Sequence, residues 1–248
     1  MGKVYIVGAG PGDPELITLK ALKVIREADV VIYADSLVNP EILKYVKEGC
    51  EIYRSSAMSL EEIVDIMVRK AREGRIVVRL KSGDPSIYGA LLEEISELEK
   101  AGIDYEIIPG VTAMTAAASV LKTSLTIPEK LQTIVIVRPS CRTPIRDDIA
   151  KLLQAARDVS TIAIYLGSSC IHNIVDLLIR AGYSKDTEVA IVYRATWRDQ
   201  KTFICTLNNI ENILKENNIS GNYIVLIGPP IHTHTKTHQP RSLVYSVK

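Results

Sequence analysis

The sequence predicts an α/β protein of two α/β domains, the N-terminal one on a mostly parallel sheet and the C-terminal one on a mixed sheet. Three observations predict it. Short β-branched runs alternate with amphipathic segments through the first half, glycine-bearing turns follow several of those runs, and the alternation pauses at residues 121–132, where Pro128 interrupts it. The domain boundary accordingly falls after residue 122, giving domains 1–122 and 123–248.

Residues 3–7 (KVYIV) read as a buried strand. A helix follows over about 15–28, with Leu16, Leu19, Leu22 and Ile25 at helical spacing. Residues 29–33 (DVVIY) form a second strand, 74–80 and 105–108 two more, and a helix over about 88–100 stops before Gly102. Strand–helix–strand order of this kind requires parallel pairing, with helices on the sheet faces. In the second half, strands are expected at 133–137, 161–166, 188–193, 201–207 and 223–227, with helices between most of them. The step from 193 to 201 has room only for a turn, so that pair should be an antiparallel hairpin. Residues 229–248, with prolines at 229, 230 and 240 and with His232, His234 and His238, read as an irregular tail. Those histidines have no Cys or carboxylate partners at ligand spacing, so no metal site is expected.

Composition excludes several function classes. The 30 Lys and Arg nearly cancel the 29 Asp and Glu, leaving a net charge of +1, and a binder of nucleic-acid backbone needs a basic excess. Aromatics are only 5%, too few for a base-stacking platform. Apolar residues at 47% can supply a real core. No apolar run approaches a membrane span, and PGDP cuts the first one short of a signal-peptide core. The four cysteines, at 50, 141, 170 and 205, have no CxxC spacing and read as reduced thiols of a cytoplasmic protein.

The chemistry concentrates in the turns. The first, Gly8-Ala9-Gly10-Pro11-Gly12-Asp13, follows a strand and opens a helix, as a dinucleotide fingerprint does. It departs from that fingerprint at Asp13, where a carboxylate would face pyrophosphate instead of a glycine. Asp35, at the end of the second strand, mimics the acid that grips a ribose, so an NAD(P)-dependent oxidoreductase, a protein of a different class, stays open at this point. The second turn, at 81–89 (KSGDPSIYG), repeats Gly-Asp-Pro. Asp at an N-cap with Pro following also marks an ordinary helix start. A third turn, PGVTA at 109–113, enters a run of small residues. Three such turns at strand C-termini form one crevice edge in an open α/β sheet.

Taken in order, VGAGPGDPELITLKA, RLKSGDPSIYGA, PGVTA and EVAIVYRATWRDQ resemble the tetrapyrrole methylase family, from residue 4 to about 207. YADSLV at 33–38, SLTIPEKLQT at 124–133, CRTP at 141–144 and the late RSLVY are similar to the branch that methylates carbon 11 of precorrin-4 or its cobalt form in cobalamin biosynthesis, with the anaerobic, cobalt-early route favoured. The same segments also suit a sibling precorrin methyltransferase acting at another macrocycle carbon, or a non-catalytic corrinoid-binding protein.

The resemblance implies S-adenosyl-L-methionine as methyl donor, folded in a cleft between the two domains, a tetrapyrrole substrate and a homodimer. It assigns cofactor contacts to Pro11, to Ser82, Gly83, Asp84 and Ile87, to Thr112 and Ala113, and to Leu166 and Ala195. Asp84 could instead cap its helix. A corrin precursor carries several carboxylates, which guanidinium forks pair well, so Arg138, Arg142 and Arg194 are candidate substrate contacts, with Ser36 beside them. Asp35 is the candidate catalytic residue, as a hydrogen-bond acceptor for pyrrole N–H groups or as a base. Departures from the family pattern stand at Ser124, Cys141, Ile145, Arg146, Leu166 and Arg198, mostly on the substrate side.

Overall fold

A computed structural model describes residues 2–128, 131–138, 149–165 and 171–228. The chain divides into two compact units. One runs from Met1 to Ala113 and includes Thr196–Arg198; the other runs from Met114 to Ala195 and resumes at Asp199. The division falls inside a helix that begins at Ala113, whereas the proline-marked pause in the sequence stands at 122/123.

The first unit is a five-stranded sheet in the order β3-β2-β4-β1-β5, formed by β1 (Lys3–Gly8), β2 (Val30–Tyr33), β3 (Glu51–Arg54), β4 (Ile76–Lys81) and β5 (Tyr105–Ile108). Every pairing is parallel. Alternate residues serve two cores. Val7, Val31, Tyr33, Val78 and Leu80 face α1 (Leu19–Glu27), while Val4, Ile6, Val30, Ile32 and Val77 share a core with Ile63 and Met67 of α2 (Leu60–Arg72) and Leu98 of α3 (Leu91–Lys100). A sheet covered on both faces needs such continuous apolar runs. Ile6 and Ile32 are fully buried, each contributing roughly 2 kcal/mol of apolar burial.

Helix starts differ from the sequence expectation. Pro14–Leu16 forms only a 3-10 turn capped by Asp13, and α1 begins afresh at Leu19 because the Thr18 side chain accepts from the Ala21 N–H. α3 starts at Leu91 rather than Tyr88, since Tyr88 and Ala90 hold left-handed backbone that no helix tolerates. Two elements go beyond that expectation. β3 is a four-residue edge strand with only half-buried alternation, and α2 carries a full capping box, Ser59 with Glu62.

The second unit has the order β6-β7-β10-β8-β9, from β6 (Thr133–Val137), β7 (Ser160–Ile164), β8 (Glu188–Tyr193), β9 (Lys201–Thr206) and β10 (Tyr223–Ile227). β6 and β7 are parallel, and β10 runs antiparallel to both β7 and β8. The β8–β9 hairpin pairs Tyr193 with Lys201, and the sheet is mixed, as the sequence indicated. The helices of this unit are α4 (Ala113–Val120), α5 (Ile149–Ala156), α6 (Ile171–Arg180) and α7 (Ile210–Glu216). α5, α6 and α7 bury Leu153, Ile174, Leu178, Ile210 and Leu214 into one core with β7, β8 and β10. Among the described residues no helix is long and apolar enough to cross a membrane.

Candidate active site

In the first sheet β4, β1 and β5 are neighbours pointing the same way, so the three turns that follow them leave from adjoining points on one edge. Glycine makes that convergence possible. A Cβ built on Gly110 would stand 2.2 Å from the Gly83 carbonyl oxygen and 2.8 Å from Gly8 Cα, and one on Gly8 would stand 2.6 Å from Gly110 Cα. The three backbones touch directly, with no room for a methyl group. Gly83, at φ +63°, then bridges to Gly10: its N–H donates to the Gly10 carbonyl at 2.9 Å, and Gly10 N–H returns the bond at 3.3 Å.

Asp84 locks the second turn to the third. One carboxylate oxygen accepts from the Gly110 N–H at 2.9 Å, and the other accepts from the Ser86 N–H and hydroxyl. Burial pushes its pKa up, but these hydrogen bonds from Ser86 and Gly110 outweigh it and hold the group below the ordinary carboxylate value. Asp84 thus closes a local turn without capping an α-helix.

β2 ends on the same edge beyond β4, and Asp35 follows it. Its carboxylate accepts from both the N–H and the hydroxyl of Ser56, each at 2.9 Å. Burial again acts upward, and the Ser56 bonds again prevail, leaving Asp35 below its usual range. Such a carboxylate is a weak base and a good hydrogen-bond acceptor.

Beneath the second turn lies a charge cluster that sequence reasoning missed. Arg79, Lys81 and Glu94 are all buried; Arg79 Nε and Lys81 Nζ donate to the same Glu94 oxygen at 3.1 and 2.5 Å. Lys81 also donates to the Gly89 carbonyl at 2.8 Å, joining the two ends of the turn. Burial and the Arg79 charge push the Lys81 pKa down, against the pull of Glu94. Arg79 and Lys81 interrupt an apolar strand run, VVRLK, and that interruption was the available signal.

Three side chains distant in sequence hold the first turn. Asn39 Nδ2 donates to the Gly12 carbonyl at 2.9 Å, Trp197 Nε1 donates to the Pro11 carbonyl at 3.1 Å, and Thr196 Oγ1 accepts from the Asp13 N–H at 2.9 Å. Arg198 adds an ion pair to Glu41 at 3.1 Å.

The first unit therefore gathers Pro11, Ser82, Gly83, Asp84, Ile87, Thr112 and Ala113 onto adjoining turns, with Asp35 and Ser36 on the next strand end. Pro11 and Gly83 are buried, Ser82, Asp84, Ile87, Thr112, Ala113 and Asp35 half-buried, and Ser36 exposed. Arg138, Arg194 and Ala195 belong to the second unit. Arg138 is half-buried directly after β6, and Ala195 is buried. Arg194 donates to Asp199 at 2.6 Å and lies over the Tyr193 ring. Leu166, Arg142 and the tail histidines lie outside the described residues. Among the described residues no cluster of three or more His, Cys, Asp or Glu could hold a metal ion.

Small-residue turns on adjoining ends of parallel strands place the chain among the open α/β proteins, the class in which small molecules usually bind at such an edge. The chain belongs to the tetrapyrrole (corrin/porphyrin) methylases, whose family model matches residues 3–211. It is 50% identical over 240 residues to a cobalt-precorrin-4 C(11)-methyltransferase of Methanocaldococcus jannaschii, spanning 95% of this chain and 92% of that protein. Among solved structures it is similar to a cobalt-precorrin-4 methyltransferase described as a cobalamin biosynthetic enzyme, at 41% identity and TM-score 0.86, covering 92% of this chain and 95% of the other. It is also similar to uroporphyrin-III C-methyl transferase from Thermus thermophilus complexed with S-adenyl homocysteine, at 31% identity and TM-score 0.77, covering 93% and 99%.

Proposed function

We propose that this chain is the S-adenosylmethionine-dependent methyltransferase that methylates carbon 11 of cobalt-precorrin-4 in cobalamin biosynthesis. The observation that carries the reading is half-identity, along 95% of the chain, to an enzyme of that activity. The edge of the first sheet fits the methyl donor on chemical grounds. The half-buried Ser82 and Thr112 carry hydroxyl groups suited to a nucleoside and an amino-acid moiety, Pro11 and Gly83 are small buried residues beside them, and Asp84 stays ionised where a cationic ligand would benefit.

S-adenosylmethionine supplies an electrophilic methyl group on a sulfonium. The residues of the chain provide alignment, the largest protein contribution to a displacement of this kind. Pro11, Ser82, Gly83, Asp84, Ile87, Thr112 and Ala113 are assigned to hold the donor, with Leu166 and Ala195 retained as further contacts on the family pattern. Asp35 and Ser36 are assigned to the substrate, Asp35 as acceptor for pyrrole N–H groups, because two Ser56 hydrogen bonds keep it ionised. Arg138, Arg142 and Arg194 are assigned to substrate carboxylates; for Arg194 that requires exchange with Asp199. We further assign a cytoplasmic location, consistent with the free, half-buried Cys50 and Cys205, and a homodimer.

The test is incubation with methyl-labelled S-adenosylmethionine and precorrin-4, with and without cobalt, followed by NMR location of the label. The expected product carries the label on carbon 11 of the cobalt form. Label on another carbon points to a sibling activity, and absence of transfer defeats the assignment.

A further inference from the structure

The first glycine turn is held more heavily than a connection needs to be. Its Pro11 and Gly12 carbonyls and its Asp13 N–H are each bonded to a side chain, and two of those side chains lie 183 and 186 residues further along the chain. Both ends of the Asn39 amide are engaged, since Oδ1 accepts from the Glu41 N–H while Nδ2 holds Gly12. Thr196 binds Asp13 from a left-handed backbone at φ +68°, a conformation that a β-branched residue adopts only when its surroundings impose it. The Arg198–Glu41 pair draws the same two segments together, although exposure of Arg198 makes it a weak tie.

Neither the glycine content of the turn nor the close packing of Gly8, Gly83 and Gly110 requires these bonds. Glycine lets the chain take the shape of the turn; it does not keep it there. We propose that Asn39, Thr196 and Trp197 are positioning residues that fix the backbone of Pro11–Asp13 in the shape that receives S-adenosylmethionine, so that they set affinity for the donor rather than the rate of methyl transfer. This rests on the assignment of Pro11 to the donor site. A turn held in its bound conformation loses little freedom on binding, and releasing it costs affinity.

The test uses Trp197→Phe, which keeps an aromatic ring and removes the indole N–H, and Thr196→Val with Thr196→Ser, which remove and restore the acceptor oxygen. Binding of S-adenosylhomocysteine is measured by titration calorimetry, alongside Tm, kcat and KM for each substrate. The expected result is a rise in Kd of about 10-fold for Trp197→Phe and Thr196→Val. KM for S-adenosylmethionine rises in step, kcat and KM for the tetrapyrrole stay within about two-fold, and Thr196→Ser behaves as wild type. If wild type binds the ligand and the variants bind it equally well, even with lowered Tm, Thr196 and Trp197 are merely structural and the inference is overturned while the functional reading stands. Failure of wild type to bind overturns both.

Discussion

In the first sheet all five strands run one way, and the turns after β4, β1 and β5 leave side by side; in the second, β10 runs against β7 and β8, so an incoming strand separates their C-terminal ends. Both units contain glycines at turns, yet their surroundings differ. Gly8, Gly83 and Gly110 meet one another backbone to backbone, whereas a Cβ on Gly182 would meet the end of the Arg157 side chain, which can move. The comparison teaches that strand direction brings three turns to one edge and that glycine content only permits their contact. Charge divides the units in the same way. The buried polar residues of the second unit, among those described, are Ser160 and Thr161, while the first buries Arg79, Lys81 and Glu94 under its second turn.

The largest effect that could break this comparison is Gly110→Ala. Its methyl group would meet only backbone, and we expect a loss of about 4 kcal/mol in urea unfolding together with loss of donor binding. Gly182→Ala, with left-handed backbone but a movable neighbour, should cost about 1 kcal/mol and leave binding intact. Equal costs at the two sites would contradict the distinction.

Glu94→Gln comes next. It leaves two buried cations without their shared carboxylate, and a loss of about 3 kcal/mol is expected. Unchanged stability would mean that Lys81, whose pKa is already pushed down, releases its proton in compensation.

Asp35→Asn should lower turnover on the order of 100-fold while donor affinity stays within about two-fold, since the Asp35 carboxylate bonds to Ser56 and not to the three glycine turns. Turnover at the wild-type rate would remove Asp35 from the reaction. The smallest effect concerns pH. Asp84 is held below its ordinary value in the folded protein, so its contribution to stability is complete above the unfolded carboxylate pKa of roughly 4 and is lost as pH falls through the folded value. Asp84→Asn should therefore flatten the acid limb of a stability–pH curve below about pH 4; an unaltered limb would show that its bonds to Gly110 and Ser86 contribute nothing.

Much of this was legible in the chain because parallel strands buried on both faces leave unbroken apolar runs, and because Gly-Asp-Pro and Pro-Gly turns punctuate them. The span from Tyr193 to Lys201 was short enough to force the hairpin. Other features depend on long-range contact, which composition and spacing do not encode. Nothing in the segment YRATWRDQ says that Thr196 and Trp197 hold a turn at residues 11–13. Likewise β3 owes its strand character to pairing with β2, and its own four residues alternate too weakly to announce it. The left-handed residues at Tyr88 and Ala90, which delay α3, follow a chain path closed by Lys81 at Gly89 and not a local propensity.

The most direct measurement is a crystal structure of the chain with S-adenosylhomocysteine bound. Ligand density against Pro11, Ser82–Asp84 and Thr112–Ala113 is the result expected from an edge built by β4, β1 and β5. Density elsewhere, with those three turns uncovered, would contradict it.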